Sequence, residues 1–195
     1  YENRPYGMVM MALSAALYPP DHPYSWMTIG SADDIRAMQL EDVQDFFRTY
    51  YHPTNASLVL AGDIETGQAF DLAQAYFGDI QPGVKPTPVS AHVELPAERR
   101  LVLEDRVELP RLYMAWHSPA MFAADDAELD IVADVLAHGK TSRLYKTLVY
   151  ERRVATDISA YQLSREMGGM FQVACTAAAG IALPELSSAI LGAIV

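Results

Sequence analysis

Residues 125–137 read DDAELDIVADVLA, and this stretch decides the kind of fold. Its acids stand at the start, where they meet the positive end of a helix dipole, and its apolar residues recur at i, i+3 and i+4. It is therefore predicted to be a helix with one face turned to a core. Upstream, residues 99–109 (RRLVLEDRVEL) alternate and residues 112–116 (LYMAW) form a second extended run. Downstream, residues 142–153 read as another helix. Residues 155–161 and 170–176 read as strands joined by a turn at Gly168 and Gly169, and a helix starts at Leu183. Strands and helices in this order define an α+β class rather than a bundle or a barrel.

Further from that centre, residues 6–18 (YGMVMMALSAALY) carry Met, Leu and Ala at helical density and stop at Pro19 and Pro20, which cannot continue a helix. A short helical turn is expected over 31–38, capped by Ser31. In residues 40–51 (LEDVQDFFRTYY), Leu40, Val43, Phe46, Phe47 and Tyr50 fall on one face, the pattern of an amphipathic helix. Residues 56–61 (ASLVLA) are predicted as a buried strand ending at Gly62 and Asp63, and residues 67–77 as a helix closing at Gly78. The stretch IQPGVKPTPV, residues 80–89, has three prolines and no periodicity, so it reads as a linker. The expected organisation is a first piece over 1–80, a linker over 81–95 and a second piece over 96–195, with neither piece complete. The chain accordingly reads as a piece of a longer protein.

Composition narrows the function. Of 195 residues, 51% are hydrophobic, enough for a core. Fourteen Lys and Arg against 25 Asp and Glu give a net charge of −11, the wrong sign for gripping nucleic acid or an anionic membrane surface. The longest uncharged apolar stretch, residues 8–18, falls short of the roughly 20 residues a spanning helix needs. The single cysteine, Cys175, rules out an intramolecular disulfide and a cysteine-based zinc cluster.

The five histidines, His22, His52, His92, His117 and His138, include no pair at the spacing that puts two metal ligands on one helix face. No Gly-x-Ser-x-Gly elbow and no glycine-rich phosphate loop is present either. His22, in a rigid Asp-His-Pro-Tyr loop, is expected to pack on Tyr24 and Trp26. His117 is expected at a strand end, and Glu104 and Asp105 on a solvated edge, pointing to opposite faces. Met8, Met10 and Met11 read as helix core.

Several segments together resemble the pitrilysin-type (M16) zinc metallopeptidases. They are Glu-Asn-Arg-Pro-Tyr-Gly at 2–7, Tyr-Pro-Pro-Asp-His-Pro-Tyr at 18–24, Ile29-Gly30, Phe-Arg-Thr-Tyr-Tyr-His-Pro-Thr-Asn at 47–55, Leu-Val-Leu-Ala-Gly-Asp at 58–63 and Gly-Lys-Thr-Ser-Arg-Leu-Tyr at 139–145. The resemblance implies partial α/β sandwich domains with mainly antiparallel sheets flanked by helices, paired around a peptide chamber. It implies zinc held in the intact parent by an inverted His-x-x-Glu-His motif, which is absent from these residues, and a third ligand supplied by a Glu, for which Glu2 is the candidate.

Arg143 and Tyr145 match family positions and are carried over as substrate-binding candidates. The family's later Arg/Tyr pair falls on Val149 and Thr156 here: either the correspondence slips, or this subunit does not supply the pair, as in two-chain members whose zinc-bearing subunit leaves it to the other. The expected function is thus part of a zinc-dependent endopeptidase subunit that cleaves peptides held as an added strand. This part, taken alone, is expected to bind no zinc and cleave nothing. The expected partner is another M16-type subunit in a homo- or heterodimer, and the expected location is periplasmic. The alternative is a non-catalytic structural or substrate-binding subunit of the same type.

Overall fold

The computed structural model describes residues 3–91 and 93–194. In chain order its elements are helix α1 (Val9–Leu17), α2 (Ala32–Ala37), α3 (Leu40–Tyr50), a 3-10 turn (Pro53–Asn55), α4 (Thr66–Phe77), strand β1 (Arg111–Ser118), α5 (Asp126–Ala137), a π-helical segment (Tyr145–Glu151), β2 (Ala155–Leu163), β3 (Gly169–Ala177) and α6 (Leu183–Ile194). The class is α+β, as expected. The chain divides into two compact units: one joins Tyr1–Thr28 to Ser90–Val195, and the other is Ile29–Val89.

The first unit is built on an antiparallel sheet of order β1-β3-β2. Alternation sends Leu112 and Met114 of β1, Phe171, Val173 and Cys175 of β3, and Ile158 and Ala160 of β2 to one face. There they meet the helices through Leu136, Leu144, Leu148, Leu186 and Ile190. Leu144, Leu148 and Leu186 are fully buried, and each such side chain contributes about 1.5–3 kcal/mol of hydrophobic stabilisation. The opposite face carries the rows Arg111–Thr176–Asp157 and Ala115–Gln172–Tyr161. Helix α1 packs at its far end, where Leu17, Tyr18 and Met170 form a second small core.

Helix α5 starts from Asp125, in a left-handed conformation at φ 69°, and is followed by Gly139 at φ +77°, where a side chain would be strained. The helix expected over 142–153 winds mostly as a π-helix: the Arg152 N–H donates to the Thr147 carbonyl five residues back, at 2.9 Å. Apolar spacing alone does not distinguish that wider winding from an α-helix, because both leave Leu144 and Leu148 facing the core.

The second unit contains α2, α3 and α4. Ser31 caps α2 as expected, its Oγ accepting from the Asp34 N–H at 3.0 Å. Helix α4 ends at Gly78 in a right-handed rather than a left-handed conformation. No residue of these three helices is buried. The strand expected over 56–61 is a correction: those residues have no strand partner among the described residues, and Val59 stays 85% exposed. The same holds for the alternating run at 99–109, which is irregular in the structure. An apolar run becomes a strand only where a neighbouring strand takes its N–H and C=O groups.

Candidate functional site

Three parts of the first unit carry the polar chemistry. At one end of the sheet, the Arg111 guanidinium donates through Nε to Thr176 Oγ1 at 2.6 Å and through Nη2 to Asp157 Oδ2 at 3.4 Å, and it lies 4.3 Å over the Tyr6 ring. The Tyr6 hydroxyl donates to the Leu109 carbonyl at 2.7 Å, and its N–H donates to Asp105 Oδ2 at 2.9 Å. This cluster ties the segment before α1 to both edge strands. Asp105, expected on a solvated edge, is used here as a backbone acceptor.

Next to it, β2 carries an irregularity. Ala155 pairs with Ala177 and Asp157 with Thr176, so Thr156 is the extra residue of a bulge on the outer strand. Its Oγ1 donates to the Thr176 carbonyl at 3.4 Å. The outer edges of β1 and β2 pair with no described strand.

The second centre is Asp126, only 8% exposed. Its Oδ2 accepts from the Phe122 N–H at 2.9 Å, and its Oδ1 accepts from Gln162 Nε2 at 3.1 Å and from the Ser164 hydroxyl. The Ser164 bond, followed by those from Gln162 and Phe122, holds the carboxyl below its ordinary pKa. One carboxylate thus fastens the loop after β1 to the end of β2.

The third is an aromatic stack. Tyr18 lies between His22 at 4.7 Å and His117 at 5.1 Å, both roughly parallel to it, and Tyr24 meets it edge-on at 5.6 Å. His22 Nδ1 accepts from the Tyr24 N–H at 3.0 Å, so its packing on Tyr24 is as expected, while Trp26 is 54% exposed. Burial pushes the Tyr18 phenol above its ordinary pKa, with the Arg165 charge pulling the other way.

The sequence candidates are placed as follows. Arg143 donates from Nη1 to the Ile194 carbonyl at 3.1 Å, closing the C-terminal turn of α6. Tyr145 and Val149 pack against the main core beside Leu148. Glu2 and His92 lie outside the described residues. Among the described residues, no group of three or more His, Cys, Asp or Glu is placed to hold a metal ion. Cys175 is fully buried, and desolvation pushes its thiol up to about 12, which removes it as a nucleophile. No described helix is long and apolar enough to cross a membrane.

In the second unit, an open groove of about 430 Å³ runs between residues 58–64 and α4, walled by Leu58, Leu60, Ile64, Leu72 and Phe77. It is a mainly apolar slot with Asp63, Glu65 and Gln68 also on its lining.

Asp126 and the Arg111 cluster are the polar centres that sequence reasoning missed. Most of their partners are distant along the chain, Gln162 lying 36 residues from Asp126 and Thr176 65 from Arg111, and only the folded structure reveals those pairings.

This sheet, with helices on one face and polar pairs on the other, matches a known family. The profile of the peptidase M16 inactive domain matches residues 37–194, and the chain belongs to that family. A zinc protease called PqqE from Helicobacter pylori is 29% identical over 174 residues, covering 87% of this chain and 39% of that protein. A solved protease structure from Helicobacter pylori superposes with a TM-score of 0.76 at 25% identity, covering 97% of this chain and 47% of that one. A peptidase M16 inactive domain from Pseudomonas fluorescens, with a TM-score of 0.75 at 21% identity over 98% of this chain and 46% of that one, shares the fold. The chain therefore spans less than half the length of these relatives.

Proposed function

We propose that residues 1–195 form a non-catalytic section of a zinc-dependent peptidase, which helps to hold extended peptides while the zinc centre, apart from a ligand offered by Glu2, lies in other parts of the parent protein. The observation that carries this reading is a sheet with unpaired outer edges in a chain of the M16 inactive-domain family. An open edge offers backbone N–H and C=O groups to a peptide added as a strand, which gives affinity with loose sequence preference. The bulge at Thr156 sits on one such edge. Arg143 and Tyr145, on the segment leading into β2, stand as our candidates for substrate contact.

In the same reading, residues 1–80 end one M16-type domain and 96–195 begin the next. The exposed apolar faces of α3 and α4 fit this, since a domain's remaining strands would cover them. Glu2 would be a zinc ligand beside a His-x-x-Glu-His motif elsewhere in the parent, where three protein ligands leave one position for water. A second M16-type subunit and a periplasmic location complete the proposal.

The test is zinc content and peptide cleavage by the parent protein, with and without chelator, alone and with a second M16-type subunit. About one zinc per chain and chelator-sensitive cleavage support the reading, and Glu2→Gln should then reduce zinc occupancy. A parent without zinc that cleaves nothing, alone or with such a subunit, would replace it with the alternative of a structural or substrate-binding partner. That alternative is favoured by the match to the peptidase M16 inactive domain.

A further inference from the structure

His117 stands at the end of β1 with both ring nitrogens against backbone carbonyl oxygens. Nδ1 is 3.1 Å from the Val93 carbonyl, and Nε2 is 3.0 Å from the Leu17 carbonyl. A neutral imidazole has one N–H and one lone pair, so it satisfies one of these carbonyls and turns its lone pair against the other. Only the doubly protonated ring donates to both. The two carbonyls belong to segments that matter for the chain's path. Leu17 ends α1, before the chain leaves this unit at Thr28, and Val93 follows its return at Ser90.

We infer that His117 is a proton-dependent clamp: with two ring protons it fastens both the outgoing and the returning segment to β1, and with one it fastens only one of them. The neighbouring histidine has the opposite requirement. His22 Nδ1 accepts the Tyr24 N–H, which a proton on that nitrogen would prevent, although both rings stack on Tyr18. The titratable and charged groups around the clamp are Tyr18 and His22 after α1, Tyr24 beyond them, and Arg165 after β2, whose guanidinium lies 4.8 Å over the Tyr24 ring. Glu94 follows Val93 in the returning segment. From β3, the residue opposite His117 is the uncharged Met170.

The experiment is a pH titration of the full-length protein by NMR, with pairwise ¹³C′/¹⁵N labelling that reports the Leu17 and Val93 carbonyls, alongside the His117 ring signals. The carbonyl signal of the segment that the neutral ring releases is expected to move with the midpoint of the His117 ring, and by more than that of the segment it keeps. Where the carbonyl released is that of Leu17, the Tyr18 amide, which donates to the Ser14 carbonyl at 3.1 Å, is expected to exchange roughly tenfold faster once the second proton is lost, after correction for intrinsic rate, the worth of about one net hydrogen bond. His117→Gln should flatten both carbonyl titrations, and His22→Gln should leave them in place. The inference is overturned if neither carbonyl follows the ring, if the response survives His117→Gln, or if it vanishes in His22→Gln. Should His117→Gln fail to fold, the two carbonyl titrations of the unaltered protein still decide.

Discussion

The two units use the same kinds of residue to opposite effect. In the first, Leu144, Leu148 and Leu186 have no exposed surface, because helices and sheet close on one another. In the second, Phe46 and Phe47 are each 52% exposed and Phe70 is 72% exposed, on helices as clearly patterned as α5. Hydrophobic periodicity therefore makes a helix and chooses its face, but a second layer is needed to bury that face.

The largest effect should come from breaking the closed core. Leu148→Ala is expected to destabilise the first unit by about 2–5 kcal/mol, as cavity-forming substitutions do, measured by denaturant unfolding. Phe46→Ala sharpens the contrast. In residues 1–195 it should cost no more than about 0.5 kcal/mol, the usual range for exposed positions. In the longer parent, under the proposed domain arrangement, it should cost about 3–5 kcal/mol, because a covered Phe leaves a cavity. Equal small costs in both would mean that nothing covers α3.

The same contrast appears in the reactivity of the lone thiol. Cys175 lies in the closed core with its pKa pushed up to about 12 by burial, so almost no thiolate forms at neutral pH. It is expected to resist alkylation in the native protein and to react once denaturant opens the sheet. Rapid native labelling would show that the first unit opens far more readily than its packing implies.

How much of this was legible in the sequence follows from the same physics. The helices at 9–17, 40–50 and 126–137 and the strands at 111–118, 155–163 and 169–177 rest on local pattern, and each was expected close to where it lies. Residues 56–61 failed as a strand because Leu58, Val59 and Leu60 carry the composition of a strand but find no described neighbour to pair with. The π-helical winding after Leu144 leaves no mark in apolar spacing. At the polar centres, Asp126 looked like one more acid in a helix's first turn, and its role depends on Gln162 and Ser164 arriving from β2 and the loop beyond it. His117 was placed at a strand end, which is correct, but its two carbonyl partners come from segments 24 and 100 residues away.

Asp126 gives a pH-dependent prediction. Its carboxyl is held below the ordinary value, so the stability it contributes is present above the ordinary Asp range, near about 3.9, and is lost as pH falls through the lowered folded value. Asp126→Asn should lower stability at neutral pH and remove this part of the acid-side decline, read as melting temperature against pH. An unchanged acid limb would mean that other carboxylates govern it.

The smallest effects concern ion pairs, and here too the units differ. Arg36 and Asp33 on α2 pair at 2.6 Å, but their side chains are 74% and 93% exposed. Solvent and salt screen such a pair, so Asp33→Ala should change stability by about 0.5 kcal/mol or less. Arg111 pairs with Asp157 at a longer 3.4 Å, yet its side chain is only 28% exposed, donates to Thr176 and covers Tyr6. Arg111→Ala should therefore cost about 1–2 kcal/mol, through a lost hydrogen bond and lost packing more than through lost charge. Salt distinguishes the causes: 1 M salt shrinks the Debye length to about 3 Å, so it should erase any contribution of the Arg36 pair and leave most of the Arg111 contribution intact. If salt removes both equally, Arg111 acts as an ordinary surface charge and the sheet end is held by Tyr6 and Asp105 without it.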